Sequence, residues 1–134
     1  KIDKRFAYDR KEVKDYGEEK DKIIVGSLND KDRVLMIDDT ITDGGTKLEA
    51  ITKIKTLAPK ARIIGVVIVF NREELGKSKK SAVQEIEDMG VKVYSMLGAK
   101  EVFNYLYDRK IDGRIYVDDK VYKKFKEYMK KYGV

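Results

Sequence analysis

The stretch VLMIDDTITDGGTK, Val34 to Lys47, constrains the fold more than any other part of the chain. Four apolar residues run straight into two adjacent carboxylates. Hydroxyls, a third acid, two glycines and another hydroxyl follow. A continuous apolar run is the pattern of a parallel-sheet strand covered on both faces. Its abrupt polar end predicts a strand over Arg33–Ile37 that stops at Asp38-Asp39, a loop from Thr40 to Gly45, and a helix starting near Thr46.

The rest of the chain repeats that alternation. Arg5–Tyr8 reads as a short strand, and Asp9–Lys22, dense in charge and holding Gly17, as a mobile loop. Thr46–Ala58 carries Leu48, Ile51, Ile54 and Leu57 at helical spacing, with Pro59 just beyond. Ala61–Phe70 reads as a second buried strand, Asn71–Lys80 as a polar loop, and Ser81–Met89 as a helix closed by Gly90. Val91–Met96 is expected as a third strand and Ala99–Tyr107 as a helix. In Lys120–Tyr132 a helix would align Val121, Phe125, Tyr128, Met129 and Tyr132, a stripe that reads as packing rather than as a platform for bases. The order predicts an α/β fold with a mostly parallel sheet flanked by helices, in a single domain over residues 1–134. In such sheets ligands sit at the carboxyl ends of strands, where the opening motif lies.

Composition narrows the chemistry. The 134 residues contain no cysteine and no histidine, which excludes disulfides, thiolate–zinc sites and the commonest general base. What is left is carboxylates, lysines, arginines, hydroxyls, backbone amides, or a hard cation held by oxygen. Thirty basic against 24 acidic residues give +6, which suits an anionic partner. Lysine excess alone, with no groove-reading motif, does not argue for nucleic acid, so no nucleic-acid partner is expected. No apolar run is long enough to span a bilayer, so no membrane is expected either, and the expected location is cytoplasmic.

The motif itself describes a ligand. Free N–H groups in a turn at a helix N-terminus form an anion site, and Gly44 and Gly45 permit positive φ and close approach of a phosphate. Thr42 and Thr46 add hydroxyl donors. Acids beside a phosphate would repel it unless they served another part of the same ligand. Vicinal hydroxyls donating to Asp38 and Asp39 satisfy that condition, so the pattern reads as a site for a ribose phosphate. The competing reading makes Asp38 a strand-end acid and Asp39 or Asp43 a helix cap. The spacing matches neither a Walker A loop nor a dinucleotide fingerprint.

VLMIDDTITDGGT resembles the phosphoribosyl diphosphate (PRPP) motif of type I phosphoribosyltransferases. A second stretch, FAYDRKEVKDYGEE, resembles the catalytic loop of the orotate phosphoribosyltransferases, whose pattern is Arg-Lys-Glu-x-Lys-x-His-Gly-Glu. Arg10, Lys11, Glu12, Lys14, Gly17 and Glu18 match it, and Tyr16 stands in place of the histidine. A third, FNREELGKSKKSAVQEIE, resembles the family segment with an arginine after the next strand. The resemblance implies transfer of phosphoribosyl from magnesium-bound PRPP to orotate in pyrimidine biosynthesis, releasing orotidine 5′-monophosphate and diphosphate. It implies that Lys14, Asp38 and Asp39 are catalytic, with the two acids on the ribose hydroxyls. Thr40, Ile41, Thr42, Asp43, Gly44, Gly45 and Thr46 would wrap the 5′-phosphate. Arg10, Lys11, Lys14 and Tyr16 would meet the diphosphate, and Thr42 and Arg72 would contact orotate. Without the resemblance, Arg72 reads as a surface ion pair with Glu73 or Glu74.

The resemblance also implies a homodimer with shared sites. Magnesium would be held mainly through PRPP rather than by protein ligands. Family members carry a substrate-capping segment ahead of the catalytic loop, so the expectation here is a partial domain lacking that N-terminal segment. The alternatives are a PRPP-binding regulator, or a purine-type phosphoribosyltransferase on the same fold. The basic loop together with Arg72 speaks against the regulator, which would need neither.

Overall fold

The computed structural model describes residues 4–9, 24–76 and 78–134. The loop expected over Asp9–Lys22 therefore falls almost wholly outside the described residues. Strands β1 (Ala7–Asp9) and β2 (Ile24–Gly26) pair antiparallel, Ala7 opposite Gly26. A three-stranded parallel sheet follows in the order β3-β4-β5, from β3 (Arg33–Ile41), β4 (Arg62–Asn71) and β5 (Val93–Gly98). Between and after these strands come helices α1 (Gly45–Leu57), α2 (Ala82–Asp88), α3 (Ala99–Leu106) and α4 (Asp119–Tyr132). The expected helices all form, to within a residue or two at each end. Two features go beyond the sequence expectation: β2, and a hairpin of β6 (Lys110–Ile111) and β7 (Arg114–Ile115). The hairpin turns on Asp112 (φ 50°) and Gly113 (φ 81°), an Asp-Gly pair that suits the left-handed turn favoured between twisted strands.

The chain forms two compact units, residues 1–34 with 46–64, and residues 35–45 with 65–134. In the first, α1 buries Ile51, Ile54 and, just past its end, Ala58. The Asp32 carboxylate accepts the Asn29 N–H at 2.8 Å and pairs with Arg5, while its carbonyl accepts the Arg62 N–H at 2.8 Å. One acid thus pins the turn that leads into β3 and the start of β4.

In the second unit the core is Ile41, Val66, Ile68, Ala82, Ile86, Val91, Ala99 and Val117. Helix α2 begins where Ser81 Oγ accepts the Gln84 N–H at 3.1 Å, which satisfies one orphan donor of the first turn. Part of the aromatic stripe of α4 packs: Phe125 stacks on Phe103 at 3.9 Å, and Tyr122, which lies outside the expected stripe, stacks on Tyr107 at 4.2 Å. It is only half covered, since Tyr128 and Tyr132 stay exposed and no residue of α4 is buried.

Among the described residues, one face of the sheet is left exposed, where the sequence suggests cover on both. Ile37 is 74% exposed and Met96 67%, with Leu35 and Tyr94 also open. Leu35 and Tyr94 share a face, because both lie against Gly65, whose missing side chain would come 3.6 and 3.1 Å from them. Alternation along β4 sends Val66 and Ile68 the other way, into the core. An apolar strand run thus reports what the residues could bury, not what covers them. Replacing Ile37 and Met96 together by lysine should leave stability within about 0.5 kcal/mol per site, as for exposed positions, and should lower binding of a hydrophobic dye. Thermal melting and dye titration check this; a large drop in melting temperature would show that the face is covered.

Candidate functional site

Strand β3 does not stop at the acids. It continues through Asp38, Asp39 and Thr40 to Ile41, so the expected loop is shorter than Thr40–Gly45. Thr40, Ile41 and Thr42 are β-branched, which favours extended backbone, and the fully buried Ile41 anchors the strand end. Both acids are exposed. Strand alternation sets them on opposite sides of the backbone, Asp39 on the side of Leu35 and Ile37. Asp38 Oδ1 accepts the Asp39 N–H at 2.8 Å.

The loop divides its labour. Asp43 Oδ1 accepts the Gly45 N–H at 3.2 Å, the local capping role that the competing sequence reading allowed. The two glycines are not equivalent. Gly44 is buried in left-handed backbone at φ 78° against Ala82, whereas Gly45 is not left-handed and a Cβ added there would meet nothing nearer than Asp43 Oδ1 at 3.6 Å. Only Gly44 uses the positive φ expected of both; Gly45 keeps the entrance to α1 clear. With its side chain buried, Ile41 has only backbone to offer a ligand.

At the start of α1, Lys47 is almost fully buried and its Nζ donates to Thr46 Oγ1 at 3.2 Å. A hydroxyl that accepts from an ammonium keeps its own proton for an anion. Sequence reasoning passed over Lys47. Its one signal was its place directly after the last hydroxyl of the motif.

Arg72 lies 31 residues after Ile41 in the chain, yet its N–H donates to the Ile41 carbonyl at 3.1 Å. That bond sets Arg72 beside Thr42, at the carboxyl ends of two neighbouring strands. The side chain pairs with Glu74 at 2.7 Å, as the ion-pair reading allowed, and Arg72 Nη2 donates to the Tyr128 hydroxyl at 3.1 Å. Tyr128 in turn donates to Glu74 at 2.7 Å. The hydrogen bond to the Glu74 carboxylate raises the Tyr128 pKa above its ordinary value, because it is made by the protonated phenol. Glu73, the other candidate partner, instead accepts the Lys100 N–H at 2.6 Å at the start of α3. A cavity of about 370 Å³ opens beside this group, lined by Phe70, Ala99, Phe103, Phe125 and Tyr128. Helical spacing assigns Tyr128 to packing, and its polar end carries no sequence signal.

Arg10, Lys11, Lys14 and Tyr16 lie outside the described residues. Among the described residues no cluster of three or more metal-ligating side chains occurs, and no helix is long and apolar enough to cross a membrane.

No family model matches the chain. Individual proteins do. An orotate phosphoribosyltransferase of Agathobacter rectalis is 39% identical over 131 residues, covering 96% of this chain and 58% of that protein. One from Clostridium botulinum (strain Eklund 17B / Type B) is 37% identical over 134 residues, covering 98% of this chain and 58% of its own length. The crystal structure of orotate phosphoribosyltransferase from Francisella tularensis superposes with a TM-score of 0.67 at 31% identity, over 99% of this chain and 58% of that one. The chain therefore spans under three fifths of the length of these relatives. The paired acids near the end of β3, the glycine turn on Ala82 and the arginine held beside that turn stand in a chain that is similar over nearly its whole length to orotate phosphoribosyltransferases.

Proposed function

We propose that this chain is part of a phosphoribosyltransferase domain that moves phosphoribosyl from magnesium-bound PRPP to orotate, forming orotidine 5′-monophosphate and diphosphate. The observation that carries this reading is the bond from Arg72 N–H to the Ile41 carbonyl. It joins a cation suited to a carboxylate to the loop and acids suited to a ribose phosphate.

The residues then divide the ligand. Asp38 and Asp39 accept from the ribose hydroxyls, and the turn from Thr42 with the Thr46 hydroxyl donates to the 5′-phosphate. Arg72 and Thr42 hold the orotate ring, with the guanidinium on its carboxylate. Breaking the bond from C1 to diphosphate builds positive charge on the ribose and negative charge on the leaving group. Arg10, Lys11 and Lys14, with the Tyr16 hydroxyl, supply donors for the second of these. Exposed carboxylate oxygens and the ligand's own oxygens fit a hard cation, and magnesium bound with PRPP would spread the diphosphate charge.

Calorimetry tests the assignment. The chain should bind magnesium–PRPP at least about tenfold more tightly than ribose 5-phosphate, since the diphosphate adds charge-assisted bonds. Equal affinities would mean that the Arg10–Lys14 cluster does not meet the diphosphate.

A further inference from the structure

The segment that carries Arg72 is anchored at nearly every other position. Asn71 Oδ1 accepts the Glu73 N–H at 2.9 Å. Glu73 itself sits in left-handed backbone at φ 57°, a conformation that persists only where the surroundings over-determine it. Here the surroundings are the start of α3, through the Glu73 carboxylate, and the end of the chain. The Leu75 N–H donates to the Tyr132 carbonyl at 2.7 Å, and the Val134 N–H to the Glu73 carbonyl at 3.0 Å. Glu74 pairs with Gly133 as an antiparallel bridge between these two bonds. The last residues of α4 and the two that follow thus lie along the segment like a short extra strand.

On this fixed backbone the Arg72 side chain is long and part-exposed. Left alone it would keep several rotamers and lose that freedom on meeting a ligand. Two contacts restrain it, Glu74 and the Tyr128 hydroxyl, and among the described residues both fall on Nη2. The Tyr128–Glu74 bond closes a triangle, so the phenol and the carboxylate hold one another as well as the guanidinium. Tyr128 comes from α4, whose end is the element stitched to the Arg72 segment.

Resting on the reading that Arg72 grips the carboxylate of orotate, we propose that Tyr128 is a positioning residue for it. Held by Glu74, its hydroxyl fixes the guanidinium by Nη2 so that the remaining nitrogens are presented to the incoming carboxylate. Residues 132–134 keep helix and segment in register.

Tyr128→Phe removes one oxygen and keeps the ring. Two measurements on the whole chain decide the matter. The first is the side-chain Nε–H signal of Arg72 in nitrogen-15 NMR, which reports the order of the guanidinium without any ligand. It should be ordered in the native chain and lose order in Tyr128→Phe, with the melting temperature little changed. The second is calorimetry with orotate and with uracil, the same ring without the carboxylate. Tyr128→Phe should weaken orotate roughly three- to tenfold, as for loss of one hydrogen bond, and leave uracil and magnesium–PRPP unchanged. The double variant with Arg72→Ala should be no worse for orotate than Arg72→Ala alone, because the hydroxyl acts through the arginine. Unchanged Arg72 order, or additive losses in the double variant, would overturn the positioning role. Loss of order with no effect of Arg72→Ala on orotate would leave the guanidinium clamp standing and remove its assigned ligand.

Discussion

Gly44→Val is expected to be the most damaging single change in the loop. Gly44 is at φ 78°, where a β-branched side chain is strained by about 1–3 kcal/mol. Its Cβ would also stand 2.7 Å from the Cβ of Ala82 and 3.3 Å from its Cα, an overlap with the first residue of α2 that only a backbone shift relieves. Overpacking of that kind costs about 1–3 kcal/mol. The sum is a large part of a typical stability of about 5–15 kcal/mol, and the melting temperature should fall by on the order of 10 °C. On the proposed function, ribose 5-phosphate binding should be lost with it, since that reading gives the turn's N–H groups to the phosphate. A milder pair separates strain from contact. Gly44→Ala keeps both penalties in smaller form, and adding Ala82→Gly relieves the contact alone. Denaturant titration of the two singles and the double should therefore show favourable coupling. Additive losses would mean that the loop already moves away from α2, and that strain at Gly44 is the whole effect.

Arg72→Ala is expected to weaken orotate by about 10- to 150-fold while changing PRPP affinity little. In the proposed function only the base brings a carboxylate to that strand end, and losing a charged hydrogen-bond partner costs about 1.5–3 kcal/mol. The surrounding segment gives the variant a sound background. Its backbone is held by Asn71, Glu73, Tyr132 and Val134, none of which depends on the guanidinium. Glu74 loses its ion pair but keeps the Tyr128 hydroxyl. Michaelis constants for the two substrates, measured in an assembly that turns over, or dissociation constants for this chain, give the split directly. Equal losses for both ligands would make Arg72 part of the scaffold and take away the main support for orotate as the acceptor.

Much of the candidate site was legible because its signals are local. The period of Leu48, Ile51, Ile54 and Leu57 marks α1, and Ser81 and Gly90 bracket α2. The adjacent acids, hydroxyls and glycines of Val34–Lys47 carry their chemistry within one stretch. Residue type and spacing were enough there, because a turn, a cap or an anion-binding loop is built from neighbours in sequence. Strand limits were less legible: β-branched Thr40 and Ile41 carried β3 past the acids, where the change in polarity had suggested a stop.

What the chain alone determined is the order of its elements and the local chemistry of its loop, two acids, hydroxyls and glycines in one stretch. Tertiary structure decided the rest. It joined Arg72 to Ile41, and it brought Tyr128, 56 positions from Arg72, onto the guanidinium. It set Gly44 on Ala82 and left one face of the sheet open at Ile37 and Met96. The physical reason is common to all four. Periodicity states which side of an element is apolar or polar, but a hydrogen bond, a steric contact or a covered face needs a second surface. That surface comes from residues distant in sequence, whose approach is fixed only when the strands and helices pack.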